Sequence, residues 1–194
     1  MNGMLSRWDD LDIMPLLASA KSLFHEGEDM ERGQFPTGFE EAASSRQGAL
    51  LFCVQRGRLS EGADFKDTLA RAVICIGVPF SNIGDPGVFY KRGFNTKYCG
   101  SQHLQTGSQW YSTQAYRALN QSLGRLIRHA QDWGAIILLD SRLCRPTEQA
   151  NLSPWVQSLH TVWEDFGTGR AYLEGFFTAR DKTLMNYSQC SSDL

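Results

Sequence analysis

Apolar positions change period several times along the chain, and the changes outline an α/β protein. Leu5, Trp8, Leu11, Leu16, Leu17, Ala20 and Phe24 recur at roughly helical spacing. They predict a helix over residues 4–24, interrupted by Pro15. Residues 26–47 are polar and Gly-containing, with a second short helix near 39–43. ALLFCV (49–54), RAVICIGVPF (71–80) and GAIILLD (134–140) are apolar runs of strand length. None alternates, as expected for parallel strands buried on both faces. The Gly-, Asn-, Ser- and Lys-rich stretch 81–109 reads as one long functional or mobile loop. The strongest helical period covers 110–130. Residues 146–154 read as loop, 155–163 and 170–180 as weaker helices, and NYSQCSSDL as a disordered tail.

Composition narrows the class. The chain has 194 residues with 42% hydrophobic content, enough for one ordinary globular domain. A net charge of −2 excludes a strongly basic DNA-coating protein but leaves room for a local basic stripe. No apolar run reaches the ~18 residues of a membrane span. The acidic start MNGMLSRWDDLD has no apolar signal core, so no secretion is expected. Cys53, Cys75, Cys99, Cys144 and Cys190 are odd in number, scattered, and form no C-x-x-C pair. That pattern predicts no zinc site, iron–sulfur cluster or disulfide scaffold, and a reducing compartment, cytosol or nucleus. His25, His103, His129 and His160 show no metal-ligand spacing, so no metal is predicted.

The helix QAYRALNQSLGRLIRH (114–129) carries the first candidate chemistry. At about 100° per residue, Arg117, Gln121, Gly124, Arg125 and Arg128 share one arc. Ala115, Leu119, Leu123, Leu126 and Ile127 take the opposite side, which docks on the sheet. Guanidinium groups in such a row suit phosphate oxygens. Gly124 costs about 1 kcal/mol of helix propensity, which points to close approach by something. From spacing alone a solvated arginine-bearing face is the plainer reading. His129 is expected to close the helix at its C-terminal end. Trp110 and Tyr111 suit either base stacking or packing at the start of the helix, with packing favoured. RGRLSEGADF (56–65) is the second candidate. Gly57 and Gly62 permit close backbone approach, Ser60 can bond a phosphate oxygen, and Glu61 and Asp64 are acceptors. Alone it also reads as an ordinary capped turn. Ser60, Asp64 and His129 lack the nucleophile elbow of a hydrolytic triad.

Together the motifs carry a resemblance. Q-x-x-G-R-x-x-R at 121–128 resembles motif VI of superfamily 2 helicases, and RGRLSEGADF resembles motif V. The string WYSTQAYRALNQSLGRLIRHAQDWGAIILLDSR resembles the XPD-like iron–sulfur DNA helicases, on the Fanconi anaemia group J and RTEL branch. KSLFHEG (21–27), GVPFSNIGDPGV (77–88) and LSPWVQSLHTVWEDFGTGRAYLEGFF (152–177) resemble further segments of that family. The resemblance implies a partial second RecA-like motor domain, P-loop NTPase-like, with a mostly parallel sheet flanked by helices. Residues 1–48 would be a truncated helical N-terminal part, 49–180 the RecA-like domain, and 181–194 a disordered tail.

The functional implications follow from the same resemblance. Arg125 and Arg128 would act on the ATP γ-phosphate with Gln121 orienting the site, and Gly62 and Asp64 would also face ATP. Arg58, Ser60 and Glu61 would touch DNA. ATP and Mg²⁺ would be held mainly by a first RecA-like domain of the same parent protein. This chain has no G-x-x-x-x-G-K-[ST] loop, no D-E-A-H box and none of the four cluster-ligating cysteines of the parent family. It would therefore be inactive alone, whether it is a fragment, a gene-prediction error or a natural short product. Family members move 5′ to 3′ on single-stranded, forked or duplex DNA in nuclear repair and genome maintenance, with no membrane partner. The alternative is a non-catalytic module that binds DNA or a protein partner.

Overall fold

The computed structural model describes residues 2–27, 31, 33–65, 67–127, 129 and 131–191, leaving aside the side chains of Asn2, Glu61 and 181–191. The chain divides into two compact units, Met1–Ser153 and Pro154–Leu194. The division therefore falls at neither residue 48 nor residue 180.

The first unit opens with α1 (Asn2–Asp10) and α2 (Ile13–Ala20) in place of one helix over 4–24. Asp12 takes the left-handed conformation (φ 56°) and breaks the run. Pro15 falls in the first turn of α2, where amides have no intrahelical acceptor and the ring costs no bond. The chain then extends at Lys21 and enters β1 (Ser22–His25), a strand that the periodicity had absorbed into the helix. After α3 (Phe39–Ser44), β2 (Ala49–Phe52) pairs with β1 in parallel, Leu23 opposite Leu50.

Next come α4 (Arg58–Gly62), a 3₁₀ turn at Asp67–Leu69 and β3 (Ala72–Ile76). The expected long loop at 81–109 instead contains α5 (Pro86–Tyr98). Asp85 caps it by accepting from the Val88 amide at 3.0 Å, and Pro86 supplies a preset φ at the first position. α6 (Gly107–Leu123) follows, started by a capping box between Thr106 and Gln109. β4 (Ala135–Leu139) pairs with β3 in parallel, Val73 opposite Ile136. A 3₁₀ turn at Ser141–Cys144 follows, and the stretch expected as loop holds α7 (Pro146–Gln149).

The architecture is thus mixed α/β with parallel strands, as the apolar runs predict. Among the described residues it has two two-stranded ladders, β1–β2 and β3–β4, where three strands in one core were expected. The strands are also not buried on both faces. Ile74, Ile76 and Leu139 are about half exposed on one face of β3–β4. On the other face Cys75 is buried, and the core holds Leu119, Leu123 and Leu126, each at most 2% exposed. An aromatic cluster, Phe24, Phe35, Phe39 and Phe65, fills the space beside β1–β2, with ring centroids 5.0 to 6.5 Å apart. Such pairs contribute roughly 0.5–1.5 kcal/mol each beyond burial. Phe65 thereby anchors the end of RGRLSEGADF.

The second unit consists of α8 (Pro154–Leu159) and α9 (Phe166–Ser191). The backbone of the expected disordered tail is helical as far as Ser191. Asp165 accepts from the amide and hydroxyl of Thr168, and Trp163 packs on Tyr172 at 5.1 Å. Among the described residues, no helix is long and apolar enough to cross a membrane.

Candidate functional site

The loop after β2 is organised from below by Glu26. One carboxylate oxygen accepts from the Val54 amide at 2.8 Å and the other from Leu59 at 3.0 Å. Gly57 crosses directly over this carboxylate. A Cβ there would lie 2.6 and 2.7 Å from its oxygens, so only glycine fits. Arg56, held at φ 66°, reaches the other way. Its guanidinium donates to the carbonyls of Pro79 (3.0 Å) and Gln114 (2.7 Å). One arginine thus ties this loop to the end of the β3 segment and to α6. Leu59 and Ala63 are fully buried, and α4 packs against α6.

Arg58 and Gly62 are exposed on this loop, whereas Asp64 is half-buried. The Ser60 hydroxyl is partly exposed and donates to the Gly57 carbonyl at 3.1 Å, a local turn bond. The Glu61 side chain lies outside the described residues.

The arginine segment departs from the wheel. α6 ends at Leu123, with Gly124 as its C-cap, seven residues short of the expected 130. Arg125 and Leu126 then make i−3 bonds, to Ser122 (3.2 Å) and Leu123 (3.3 Å), and the chain leaves the helical path. The cause is glycine's poor helix propensity together with the burial of Leu126, which packs where a Cβ on Gly134 would meet its Cδ2 at 3.0 Å. At Gly124 an added Cβ would make only ordinary contacts, at 3.5 and 3.7 Å. Within this chain nothing crowds Gly124, which stands at the C-cap in the right-handed conformation (φ −68°). Of the expected buried side, Ala115, Leu119, Leu123 and Leu126 are in the core, whereas Ile127 is part-exposed. Arg117 and Gln121 are exposed on α6, and Arg125 is part-exposed in the turn after it. Arg128 lies outside the described residues. Tyr111 packs, as favoured: its hydroxyl donates to the Ser81 carbonyl at 2.5 Å and its ring lies on Phe80.

His129 does not close the helix. Its Nε2 sits 2.9 Å from Asp67, just beyond the motif V-like loop. That hydrogen bond raises the imidazole above its ordinary pKa. Three residues on, Asp132, almost fully buried, accepts from Arg71 at 3.0 Å and from the Trp133 amide at 2.9 Å. Arg71 also donates to the Trp133 carbonyl and lies over its ring, 4.6 Å from the centroid. Asp67, His129 and Asp132 bring ligand atoms within 4.8 Å of one another. Asp67 Oδ1, His129 Nε2 and Asp132 Oδ1 already have partners, and the bonds they make clasp Asp67 to His129 and Arg71 to Asp132 and Trp133.

Asp140 performs a similar task at the opposite end of the β3–β4 ladder. It accepts from the amides of Val78 and Arg142 and from the Arg142 guanidinium. These bonds, led by the guanidinium, lower its pKa to about 2. Burial pushes Cys53 up to about 12, helped by Glu26, and Cys75 up to about 11, so both are held as thiols. Among the described residues no cysteine joins a metal-ligand group.

Glu26, Arg56 and Asp67 were not singled out by sequence reasoning. Glu26 did lie in the quoted KSLFHEG, and Arg56 opens RGRLSEGADF, so the motif boundaries held the only signal.

Residues 1–159 match the helicase C-terminal domain. The chain belongs to this family. It is 46% identical over 151 residues to the Fanconi anemia group J protein homolog of Gallus gallus, covering 77% of this chain and 12% of that protein. It is 38% identical over 171 residues to the Regulator of telomere elongation helicase 1 homolog of Oryza sativa subsp. japonica, covering 84% and 17%. The homologue of that helicase in Drosophila grimshawi is 36% identical over 192 residues, covering 95% and 19%. The chain therefore spans less than a fifth of the length of these curated relatives. The relatives fall on the branch that the motifs indicate, and the helicase C-terminal domain accounts for the α/β, RecA-like architecture.

Proposed function

We propose that this chain is the second RecA-like motor domain of an ATP-dependent, 5′-to-3′ DNA helicase acting in nuclear genome maintenance. One observation carries the reading: the first motif segment is tied to the helix that leads into the second. Arg56 joins it to Gln114 on α6, and Asp67 and His129, just beyond the two segments, bond each other. In this reading Arg125 and Arg128 offer guanidinium donors to phosphate oxygens, and Gln121 orients them. The donor set fits a phosphate group: an exposed carboxamide and a part-exposed guanidinium at the end of one helix. Gly62 and Asp64 line the nucleotide side, and Arg58, Ser60 and Glu61 take the DNA backbone. ATP with Mg²⁺ supplies the phosphoryl group whose hydrolysis drives movement, and a first RecA-like domain of the same parent holds it. The iron–sulfur cluster belongs to the parent family's other domain and not to this chain.

The test has two arms. The purified 194-residue chain turns over no ATP, with or without single-stranded DNA. In the complete parent helicase, Arg128→Ala lowers hydrolysis on the order of 10³-fold while ATP affinity changes little, and Arg128→Lys does not rescue it. Normal turnover in Arg128→Ala would remove the arginines from the mechanism.

A further inference from the structure

Helix α5 presents a surface that the motor assignment does not use. Its inner side packs on α6. The Arg92 guanidinium lies 5.7 Å from the centroid of Tyr111, and the Arg92 carbonyl and Thr96 hydroxyl press on Gly107. Its outer side carries Phe89, Tyr90, Gly93, Phe94 and Lys97 within an arc of about 140°, with Lys91 about 60° beyond it. Phe89, Tyr90 and Phe94 are 64%, 73% and 49% exposed. Phe89 and Tyr90 meet edge to face at 5.7 Å. Gly93 leaves a flat gap among them, since a Cβ there would meet nothing within 4 Å. Both lysines are exposed, and no residue of α5 is acidic.

Three exposed rings on one helix need an occupant. The core of a protein–protein interface is depleted in lysine, yet here Lys97 stands among the rings and Lys91 beside them. Rings beside cations, without carboxylates, match bases beside phosphates. Phe89 and Phe94 are separated by about 7.5 Å of helix rise, roughly two nucleotides of a stacked strand. We propose that the outer face of α5 is a contact for single-stranded DNA. Phe89, Tyr90 and Phe94 stack on bases, and Lys91 and Lys97 pair with backbone phosphates. The proposal rests on the reading of the chain as part of a DNA motor, and adds a second contact away from Arg58, Ser60 and Glu61.

The experiment uses the 194-residue chain and a fluorescein-labelled dT20 strand, followed by anisotropy in a salt series. A 5-iodouracil version of the strand is photocrosslinked and mapped by mass spectrometry. Phe89→Ala and Tyr90→Ala each weaken binding on the order of tenfold. Lys91→Ala and Lys97→Ala each lower the salt slope by about 0.7. The crosslink falls on residues 89–94. All four side chains are exposed, and an unchanged far-ultraviolet spectrum checks that folding survives; the wild-type crosslink needs no variant at all. Arg58→Ala separates the two readings. If it weakens binding while the α5 variants bind like wild type, the DNA assignment of the motif V loop stands and α5 has no part in it. No binding of dT20 by the wild-type chain overturns the proposal. So does loss of self-association in Phe89→Ala with DNA affinity unchanged, because a second copy then covers the face.

Discussion

Replacing Glu26 by alanine tests how the motif V-like loop is built. The substitution removes the acceptors of two backbone amides, Val54 at 2.8 Å and Leu59 at 3.0 Å. A hydrogen bond to a charged group contributes about 1.5–3 kcal/mol, and a buried amide left without a partner costs roughly 1–3 kcal/mol. The two sites differ. Val54 is 43% exposed, so its amide regains water at small cost. Leu59 is fully buried, and its amide does not. The expected loss is about 3 kcal/mol, a large part of the ~5–15 kcal/mol of a typical domain. Glu26→Gln keeps one acceptor oxygen but turns an NH₂ toward the second amide, so it loses most of the same amount. Urea unfolding followed by circular dichroism measures this, with the slope unchanged and the midpoint lowered. Glu41→Ala, on the exposed face of α3, is the control and shifts stability by less than ~0.5 kcal/mol. A Glu26→Ala midpoint equal to that control would refute the account of the loop.

Gly107→Ala places a methyl 2.3 Å from the Arg92 carbonyl and the Thr96 hydroxyl, and overpacking of this kind costs about 1–3 kcal/mol in the same assay. Gly93→Ala, with open space around it, stabilises the chain by up to about 1 kcal/mol through helix propensity. Iodoacetamide at pH 8 labels exposed Cys144 ahead of Cys53 and Cys75, whose pKa values stand at about 12 and 11; equal labelling of the native chain would contradict their burial. The raised pKa of His129 stabilises the fold fully below pH ~6.5, and that contribution is lost as pH rises through the raised value. An NMR titration of His129 in Asp67→Asn should show the ordinary midpoint return.

The strands at 49–52, 72–76 and 135–139 were legible because each is a continuous β-branched or leucine-rich run. β1 was not, because four residues ending a helical pattern leave no room for a period to change. α5 was missed for a different reason. Its apolar residues face outward, so no stripe marks it, and only the Asp85–Pro86 start carried a signal. In the candidate site, the motif strings marked out the segments 56–65 and 121–128, and the wheel placed Ala115, Leu119, Leu123 and Leu126 in the core but also Ile127, which is part-exposed. The wheel failed beyond Leu123 because it assumes that a helix continues, and tertiary burial of Leu126 ends it. The tie from Arg56 to Gln114 and the clasp from Asp67 to His129 join residues about sixty positions apart. Such pairings depend on the fold and leave no local trace.

The two parallel ladders also set an order of assembly. Leu23 pairs with Leu50, but Val73 pairs with Ile136, across a loop more than twice as long that contains both α5 and α6. The longer closure costs about 0.7 kcal/mol more in chain entropy. That is a threefold handicap in rate if nothing else differs. Contacts within and around the first ladder can therefore form while the second is still open, and the Glu26 seat of the loop matures before the arginine turn reaches it. During synthesis the delay is longer, because β4 emerges some sixty residues after β3. Until then the apolar strand Ala72–Ile76 has no partner edge, which makes it the segment of this chain most exposed to misassembly.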